Sequence, residues 1–457
     1  MPDNNQSHIT PIQRWKDGEL HPPTDDALAI EEPLEIRVRG QNVAVTMRTP
    51  GHDEELAAGF LATEGLIKRR EDVTEIAHCT EGEAARLGNT LNVFLGAGVD
   101  ADLESLTRHV FASSSCGLCG KATIEAVQQD FPPVDSGVRI APDIITGLPA
   151  HDDHLGGRLR IGPDEKLYLS IGDQGGNWLH NFCNPNLAQA LPTAAQVQAG
   201  DWTTYEGTIL RLNLDGSIPD DNPTIDGVRS HILSYGHRNP QGLAFGDDGR
   251  LYASEHGPST DDELNLIRAG GNYGWPDVAG YRDEQMYVYA NWSASSSAPC
   301  DSLSFSQSEV PASVPQQTET AWSHPDFRPP LQTLFTVPSD YDFDTQGGAT
   351  IAPSSLAIYT TAEGGIPGWA NSLLVPGLIK GRMYRQPLSA DGTTAAGEPI
   401  ELLRTTNRYR DLELHPNGRT IYVATDSSGR TTGADDAMTQ ALEHPGAIIQ
   451  FTYGGRP

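Results

Sequence analysis

Two cysteines in a loop rich in glycine and serine are the first candidates for chemistry. Cys116 and Cys119 lie in the string SSSCGLCGKATIEAV, which runs into a predicted helix near Lys121. A thiol at a helix N-terminus has a lowered pKa, because unpaired N–H groups and the helix dipole stabilise the thiolate. Such a thiolate can attack a sulfur donor and hold a persulfide. Two alternatives stay open: part of a zinc site with His78 and Cys79, or inert buried thiols.

A histidine among carboxylates is the second candidate. His154 follows Asp153, and we expect Asp173 one strand away. A carboxylate can hold an imidazole in one tautomer, which makes the other ring nitrogen a general base. The alternative is a surface histidine without a chemical role.

Arginines and amides provide candidate anion-binding groups. Arg238 and Asn239 in GHRNPQG can polarise a carbonyl or bind a carboxylate. Arg408 and Arg410 alternate in NRYRD on a predicted strand, where they can bind an anion together. A solvated strand face is the alternative for this second pair.

Acidic loops offer hard oxygen ligands. The strings GPSTDDE and DVAGYRD carry Asp262, Glu263 and Asp283 next to backbone carbonyls. Such oxygens suit Ca²⁺ rather than a transition metal. The spacing is not that of an EF-hand, and loops solvated by water are the alternative.

The elements that position the cysteines have an α/β pattern. Alternating apolar residues around the turn RGQN predict a hairpin over 34–47. A helix is predicted next, with Leu56, Phe60 and Leu61 as its buried stripe and Gly65 as its end. We therefore predict an α/β domain over residues 1–145.

The rest of the chain consists of short strands between turns. Four strings share one frame, a polar turn followed by an apolar strand with Tyr, at 161–173, 245–257, 351–364 and 414–426. A strand running into a turn recurs near 209 and 383. Such repeats are typical of four-stranded blades. Residues 146–457 are therefore predicted to form an all-β, incomplete β-propeller of about four blades, with a β-sandwich as the alternative.

Composition excludes several classes of partner. The net charge is −30, from 31 basic and 61 acidic residues, which argues against nucleic acid and anionic membranes. We find no run of 18 apolar residues and no apolar signal segment at the start, so we expect a cytoplasmic protein. Five cysteines are an odd, sparse set, and we expect no disulfide framework.

The first segment resembles the FdhD sulfur carrier family, the formate dehydrogenase accessory sulfurtransferases. The strings EEPLEIRVRGQNVAVTMRTPGHDEELAAGFLATEGLI and SSSCGLCGKATIEAV carry this resemblance, over residues 25–145. It implies that Cys116 and Cys119 relay sulfur from a cysteine desulfurase to the molybdenum cofactor of formate dehydrogenase. The family continues with a second half that nothing downstream resembles.

The second segment resembles the soluble PQQ-dependent glucose dehydrogenases of the glucose/sorbosone dehydrogenase group. The strings DHLGGRL, GHRNPQGLAF, EHGPSTDDELNLI, GGNYGWPDVAGY and NRYRD carry this resemblance. It implies a propeller that binds PQQ and calcium, transfers a hydride from sugar C1 to PQQ, and passes electrons to an external acceptor. His154 would be the base, Asp173 would place sugar and base, and Arg238 would polarise the quinone.

The same resemblance implies the remaining ligands. Asn239, Arg408 and Arg410 would hold PQQ, and the backbone oxygens of Gly257 and Pro258 would hold its calcium. A structural calcium would be bound by six further residues: Asp262, Glu263, Tyr273, Ala279, Asp283 and Glu319.

The chain departs from that family in two ways that bear on activity. The family's cofactor lysine aligns with Ile379, and Lys380 is one residue late, which on a strand would turn it to the other face. The family has six blades, and about two are missing here. We therefore expect two truncated modules joined at IITGLPA, an impaired sugar dehydrogenase activity, and a sulfur carrier function as the alternative.

Overall fold

The computed structural model describes residues 7–12, 14–16, 19–80, 88–96, 99, 152–296, 298–307, 309–432 and 437–454. The chain forms two compact units, Met1–Ser136 and Gly137–Pro457. Cys116, Cys119 and the predicted boundary at residue 145 lie outside the described residues, so these three predictions stay predictions.

The first unit contains one four-stranded sheet. Its strands, in spatial order, are Gln41–Arg48, Glu32–Val38, Thr90–Leu95 and Val73–His78. The two central strands are parallel and the outer pairs are antiparallel. The predicted hairpin is therefore confirmed. Two short strand pairs precede the sheet: Ser7–Ile12 with Thr24–Ala29, and Trp15–Lys16 with Glu19–Leu20.

One helix, Asp53–Thr63, follows the hairpin. Three acidic residues in its first turn match the positive end of the helix dipole, and Gly65, at a φ of 74°, lies just beyond its end as predicted. Leu61 is fully buried, whereas Leu56 is exposed. Leu56 was therefore wrongly assigned to the buried stripe, because the face that packs on the sheet is centred on Ala57 and Leu61.

The second unit is built from four antiparallel sheets that follow one another along the chain. The strands of the first two sheets are Gly156–Ile161, Leu167–Ile171, Thr208–Leu212 and Ile232–Tyr235, then Pro240–Phe245, Leu251–Glu255, Asp262–Ile267 and Gln332–Leu334. Those of the last two are Ala357–Tyr359, Ser372–Pro376, Arg382–Pro387 and Ile400–Arg404, then Tyr409–Leu414, Thr420–Thr425 and Ile448–Thr452.

Smaller elements lie between these sheets. The short strand pairs are Thr224–Ile225 with Val228–Arg229, Val288–Ala290 with Gln316–Thr318, and Thr431–Thr432 with Met438–Thr439. The α-helices of this unit are Ala194–Ala199 and Phe343–Gln346. The 3-10 turns of the two units are Arg70–Asp72, Leu179–Asn181, Trp292–Ala294, Cys300–Ser302 and Glu319–Ala321.

Three of the four sequence repeats coincide with the same structural feature. The strings at 161–173, 245–257 and 414–426 each cover the turn after the first strand of a sheet and its second strand. The string at 351–364 instead carries the first strand of the third sheet, Ala357–Tyr359. This string therefore matches the first strand of its sheet, whereas the other three match the second. The loop between the first strand and Ser372 is longer than the corresponding turns in the other sheets.

Apolar side chains fill the space between consecutive sheets. Leu243 and Leu251 pack against Ile209 between the first and second sheets. Leu264 packs with Leu373 between the second and third, and Val423 packs with residues of the third sheet. The described residues are mostly β-sheet with few helices, as predicted for the second unit. An α/β first domain and a propeller of about four blades stay predictions.

A disulfide joins two loops of the second unit. Cys183 and Cys300 are bonded across 117 residues of sequence. No disulfide framework was expected from the sequence, and this single pair was not predicted, because pairing in three dimensions cannot be deduced from cysteine spacing. In the part of the chain that the structure describes, no helix has the length and apolar character needed to cross a bilayer.

Candidate active site

His154 and Asp173 form a hydrogen-bonded pair at one end of the first sheet. His154 lies just before the strand Gly156–Ile161, and Asp173 lies just after Leu167–Ile171. Their Nδ1 and Oδ1 atoms are 2.7 Å apart. A carboxylate can only accept, so Nδ1 carries the proton and Nε2 keeps its lone pair. Only 8% of the His154 side chain is exposed, which suits a base in a cleft.

Asp173 is fully buried and its carboxylate is fully hydrogen-bonded. Oδ2 accepts from Trp275 Nε1 at 2.6 Å and from Asn186 Nδ2 at 2.8 Å, and Oδ1 also accepts from the Gly175 N–H. Burial alone would raise the pKa of Asp173, but the hydrogen bond from His154 and the charge of Arg238 hold it below its ordinary value. Asp173 is therefore ionised at neutral pH and fixes the tautomer of His154.

Arg238 lies beside this pair, between two indole rings. Its guanidinium carbon is 5.1 Å from the ring centre of Trp178 and 5.2 Å from that of Trp275. Its carbonyl accepts the Asp173 N–H at 2.8 Å, and burial lowers its pKa. Among the described residues, Arg238 Nε has no hydrogen-bond partner. An orphaned buried N–H of this kind suits a ligand acceptor.

Asn239 and His256 lie on the far side of Arg238. Asn239 Oδ1 accepts from the Gly156 N–H and from Gln241 Nε2. Burial lowers the pKa of His256 to about 3, and the charges of Arg238 and His154 contribute. Near neutral pH the imidazole of His256 is therefore uncharged and does not act as a general acid or base.

Arg408 and Arg410 point at the same carboxylate. Arg408 Nε is 3.0 Å from Asp426 Oδ2, and Arg410 Nε is 2.7 Å from Asp426 Oδ1. Arg408 directly precedes the strand Tyr409–Leu414 and Arg410 lies on it, and both side chains reach the same side, as the predicted alternation requires. Asp426 compensates one of the two charges. The charge of Arg410 also acts on the pKa of His256.

Lys380 does not lie on a strand. It occupies the turn between Ser372–Pro376 and Arg382–Pro387 at a φ of 68°, and its Nζ is 3.4 Å from the Ala349 carbonyl. The prediction that a strand register turns Lys380 to the wrong face was therefore incorrect. The turn carries this side chain toward Ala349, whose N–H binds the carbonyl of Ser259.

The predicted cofactor-calcium loop is held by Asp262. Its carboxylate accepts from the Gly257 N–H at 2.9 Å and from the Ile351 N–H at 2.7 Å. Burial raises the pKa of Asp262 to about 7. The Gly257 carbonyl accepts from the Ser259 N–H, and Gly257 and Pro258 line a small cleft with Arg238.

The side chains predicted to bind a structural calcium form hydrogen bonds with backbone groups instead. Glu319 accepts from the Ala279 and Glu284 N–H groups, both at 3.0 Å. Glu263 accepts from the Gly280 N–H at 2.7 Å.

The other predicted ligands also bind backbone. Tyr273 donates its hydroxyl to the Leu266 carbonyl, and Asp283 accepts from the Gln285 N–H. In the described ranges no group of three His, Cys, Asp or Glu side chains forms a metal site, so calcium binding stays a prediction.

Sequence reasoning missed the two indoles next to Arg238. Trp275 lies in GGNYGWPDVAGY and contacts both Asp173 and Arg238. The ring of Trp178 also lies against the guanidinium of Arg238. Trp275 could have been found, because its string was already part of the resemblance. Nothing in the local sequence indicated Trp178.

Two family models match the chain. Glucose / Sorbosone dehydrogenase matches residues 136–322 and 340–432, and the FdhD/NarQ family matches residues 29–151. The two matches overlap at 136–151, which contains IITGLPA. The chain therefore joins a segment similar to the FdhD/NarQ family to a segment of the glucose/sorbosone dehydrogenase family, as predicted.

Individual proteins agree with this division. Quinoprotein glucose dehydrogenase B of Acinetobacter calcoaceticus is 47% identical over 319 residues, which are 68% of this chain and 67% of that protein. Sulfur carrier protein FdhD of Mycobacterium tuberculosis is 46% identical over 131 residues, which are 27% of this chain and 48% of that protein. The chain thus spans about half the length of such carriers.

Among solved structures, a PQQ-bound aldose sugar dehydrogenase from Streptomyces coelicolor is 28% identical to this chain. The match covers 66% of this chain and 63% of that one, with a TM-score of 0.41. The family assignment depends on the sequence matches, which cover more than half of the chain. Through residues 136–432, the chain belongs to the glucose/sorbosone dehydrogenase family.

Proposed function

We propose that the second unit is a PQQ- and calcium-dependent sugar dehydrogenase that oxidises an aldose at C1. The hydrogen-bonded His154–Asp173 pair beside Arg238 is the observation that carries this proposal. A relative of this segment is named a quinoprotein glucose dehydrogenase. The substrate would be a small sugar, and the electrons would leave to an external acceptor.

The residues around Arg238 suit PQQ, a flat molecule that carries carboxylates and carbonyls. Arg238 offers its orphaned Nε–H, and the Arg408–Arg410 pair keeps one uncompensated positive charge after Asp426 is counted. Asn239 and Lys380 would add donors. Bound there, PQQ would supply the acceptor for the hydride that leaves the sugar.

The chain's own residues would move the proton. His154 Nε2 would accept the proton of the sugar C1 hydroxyl, because Asp173 holds Nδ1 in the donor form. Asp173 would then stabilise the imidazolium. Arg238 would stabilise negative charge that develops on a neighbouring oxygen.

Calcium suits the buried carboxyl groups of this unit. Burial, together with the charge of Asp283, raises the pKa of Asp261 to about 6 and that of Glu319 to about 7. A cation would remove this repulsion. The carbonyls of Gly257 and Pro258 would hold a second calcium beside PQQ.

We also propose that the activity is impaired. The chain covers about two thirds of the length of the quinoprotein relative, and loss of the two blades expected to be missing would remove part of the wall around sugar and cofactor. The test is glucose-dependent dye reduction after addition of PQQ and Ca²⁺. Turnover above the level without PQQ supports the proposed PQQ-dependent dehydrogenase activity. PQQ that neither binds nor reacts overturns that activity.

A sulfur carrier function of the first unit is the second candidate. The FdhD/NarQ match contains both cysteines of the C-x-x-C motif. Cys116 and Cys119 would accept sulfur from a cysteine desulfurase and pass it toward a formate dehydrogenase. Since the chain spans about half of such carriers, transfer to the final acceptor would be incomplete.

The cellular compartment of the protein is proposed separately from its activity. A cytoplasmic location suits the sulfur carrier segment, but a disulfide such as Cys183–Cys300 is typical of oxidising compartments. Thiol trapping in cells decides between them, because a cytoplasmic chain would carry both cysteines reduced.

A further inference from the structure

The fourth sheet of the second unit has three strands in the described residues, whereas each of the other three sheets has four. Its outer strand, Ile448–Thr452, pairs antiparallel with Thr420–Thr425 on one side. In the part of the chain that the structure describes, no strand pairs with its other side. Unpaired N–H and C=O groups along such an edge are a template for another strand. The fourth sheet therefore ends on an edge where one more strand fits.

The hydrogen bonds at the two ends of this strand show which backbone groups point away from the sheet. The Ala447 carbonyl accepts from the Thr425 N–H at 2.9 Å. The Tyr453 N–H donates to the Arg419 carbonyl at 2.8 Å, and the pairing between these two contacts has no bulge. In an antiparallel ladder, successive residues bond to opposite sides. Three residues therefore direct their N–H and C=O groups to the free edge: Ile448, Gln450 and Thr452.

This edge strand carries no charge. The segment 445–454, PGAIIQFTYG, contains no Asp, Glu, Lys, Arg or His. The side chain of Ile448 is 53% exposed, and those of Gln450 and Thr452 are exposed as well. Edge strands are usually protected from pairing by Lys, Pro or a bulge, and Ile448–Thr452 has none of these.

The outer strands of the other three sheets are protected. That of the first, Ile232–Tyr235, is buried along its whole length. That of the second, Gln332–Leu334, has only three residues. That of the third, Ile400–Arg404, carries the ion pair of Glu401 and Arg404. Among the outer strands of these four sheets, the last one alone is both exposed and uncharged.

We propose that this edge pairs with the same strand of a second copy of the chain. Antiparallel pairing about a two-fold axis at Gln450 would place Gln450 opposite itself, and Ile448 opposite Thr452 of the second copy. Every outward N–H would then meet an outward C=O. Two copies of a chain with a net charge of −30 repel each other, and an uncharged contact keeps this repulsion small. The inference does not depend on the proposed function.

The pairing would join the two fourth sheets into one continuous sheet, with three strands from each copy. A contact of five residues on each side is small, so we expect a dimer that dissociates on dilution rather than an obligate one. Salt screens the repulsion between the two acidic chains and should therefore strengthen the dimer.

Sedimentation velocity of the full chain over a range of concentrations measures the dimer. Two variants change the edge: Gln450→Pro removes an outward N–H and keeps the inward bonds, and Ile448→Lys adds a charge. The matched control is Ile400→Lys, at a 42% exposed position on the outer strand of the third sheet. We expect the dimer Kd to rise at least tenfold in both edge variants, because the two-fold axis doubles each loss, and to stay unchanged in the control.

Hydrogen exchange followed by mass spectrometry locates the contact. The amides of segment 447–453 should exchange more slowly in concentrated than in dilute protein. A monomer at every concentration, or a dimer that both edge variants leave as stable as the control, would overturn the proposal. Slow exchange of this segment in a monomer would also overturn it, because another part of the same chain would then cover the edge. If Gln450→Pro does not fold, Ile448→Lys and the exchange of the unaltered chain decide.

Discussion

The guanidinium of Arg158, in the first sheet, is 3.0 Å from the carboxylate of Asp411, in the fourth, although 253 residues separate them. The same guanidinium donates to the carbonyl of Gln241, in the second sheet, and to that of Ser354, which precedes the third. One side chain thus joins the four sheets near their first strands. The first and fourth sheets are in contact despite the blades expected to be missing.

Arg158→Met should therefore destabilise the second unit, because it removes three hydrogen bonds while keeping the bulk of the side chain. We expect a loss of about 2 kcal/mol in the free energy of unfolding, the scale of charged hydrogen bonds at a partly exposed pair. Urea denaturation measures it. Arg250→Met is the control, since Arg250 pairs only locally with Asp248. Equal losses in the two variants would show that Arg158 does not hold the sheets together.

Calcium should stabilise the protein more at pH 8 than at pH 5. Asp261 and Glu319 have raised pKa values, about 6 and about 7. The folded state therefore holds their protons more tightly than the unfolded state. Their contribution to stability is present below the ordinary carboxyl pKa and is lost as pH rises through 6 to 7. Calcium binds the deprotonated groups and restores the lost stability, by ~2.7 kcal/mol when its concentration is 100 times its Kd.

Calorimetry with Ca²⁺ or EDTA at the two pH values measures this difference. Glu319→Gln should reduce both the pH dependence and the calcium response, whereas Glu309→Gln, at an exposed position, should leave them intact. A melting temperature that EDTA does not change at pH 8 would argue against any calcium site in this unit.

Removal of the disulfide should destabilise the second unit. The disulfide closes a loop of 117 residues, and a loop of that size restricts the unfolded chain by ~4–5 kcal/mol in the entropic model. Cys183→Ser with Cys300→Ser should therefore lower the melting temperature. Cys79→Ser, in the other unit, is the control. An unchanged melting temperature would mean that packing alone fixes these loops.

The sulfur carrier candidate predicts a covalent change at the C-x-x-C motif. After incubation with a cysteine desulfurase and cysteine, mass spectrometry should detect one added sulfur on Cys116 or Cys119. The double variant Cys116→Ser, Cys119→Ser should carry none, and Cys79→Ser should behave as the unaltered chain does. Unmodified thiols at both positions would eliminate this function.

The positions of the candidate active-site residues could be predicted from the sequence, because these residues lie at strand ends. His154 precedes one strand and Asp173 follows the next, and the two strands pair, so the expected distance of one strand between the residues brought them together. Arg238 follows the last strand of the same sheet. The hairpin of the first unit was equally readable, since apolar alternation and a glycine turn fix its register.

Long-range contacts could not be predicted in this way. The position of Trp178 against Arg238 and the pairing of Cys183 with Cys300 depend on how loops fold over the sheets. Asp426, which both arginines of NRYRD contact, directly follows the next strand of the same sheet, Thr420–Thr425, and carried no motif. Periodicity describes single elements, whereas these contacts depend on tertiary packing.

The most direct test of the central claim is single-turnover oxidation of glucose by chain loaded with PQQ and Ca²⁺, comparing His154→Asn with His180→Asn. His180 is exposed and pairs with Asp152 at the surface. We predict that His154→Asn slows oxidation by ~10²–10⁴-fold, the range for loss of a general base, while PQQ binding and the rate of His180→Asn stay unchanged. Equal rates in the two variants would contradict the assignment of His154 as the base.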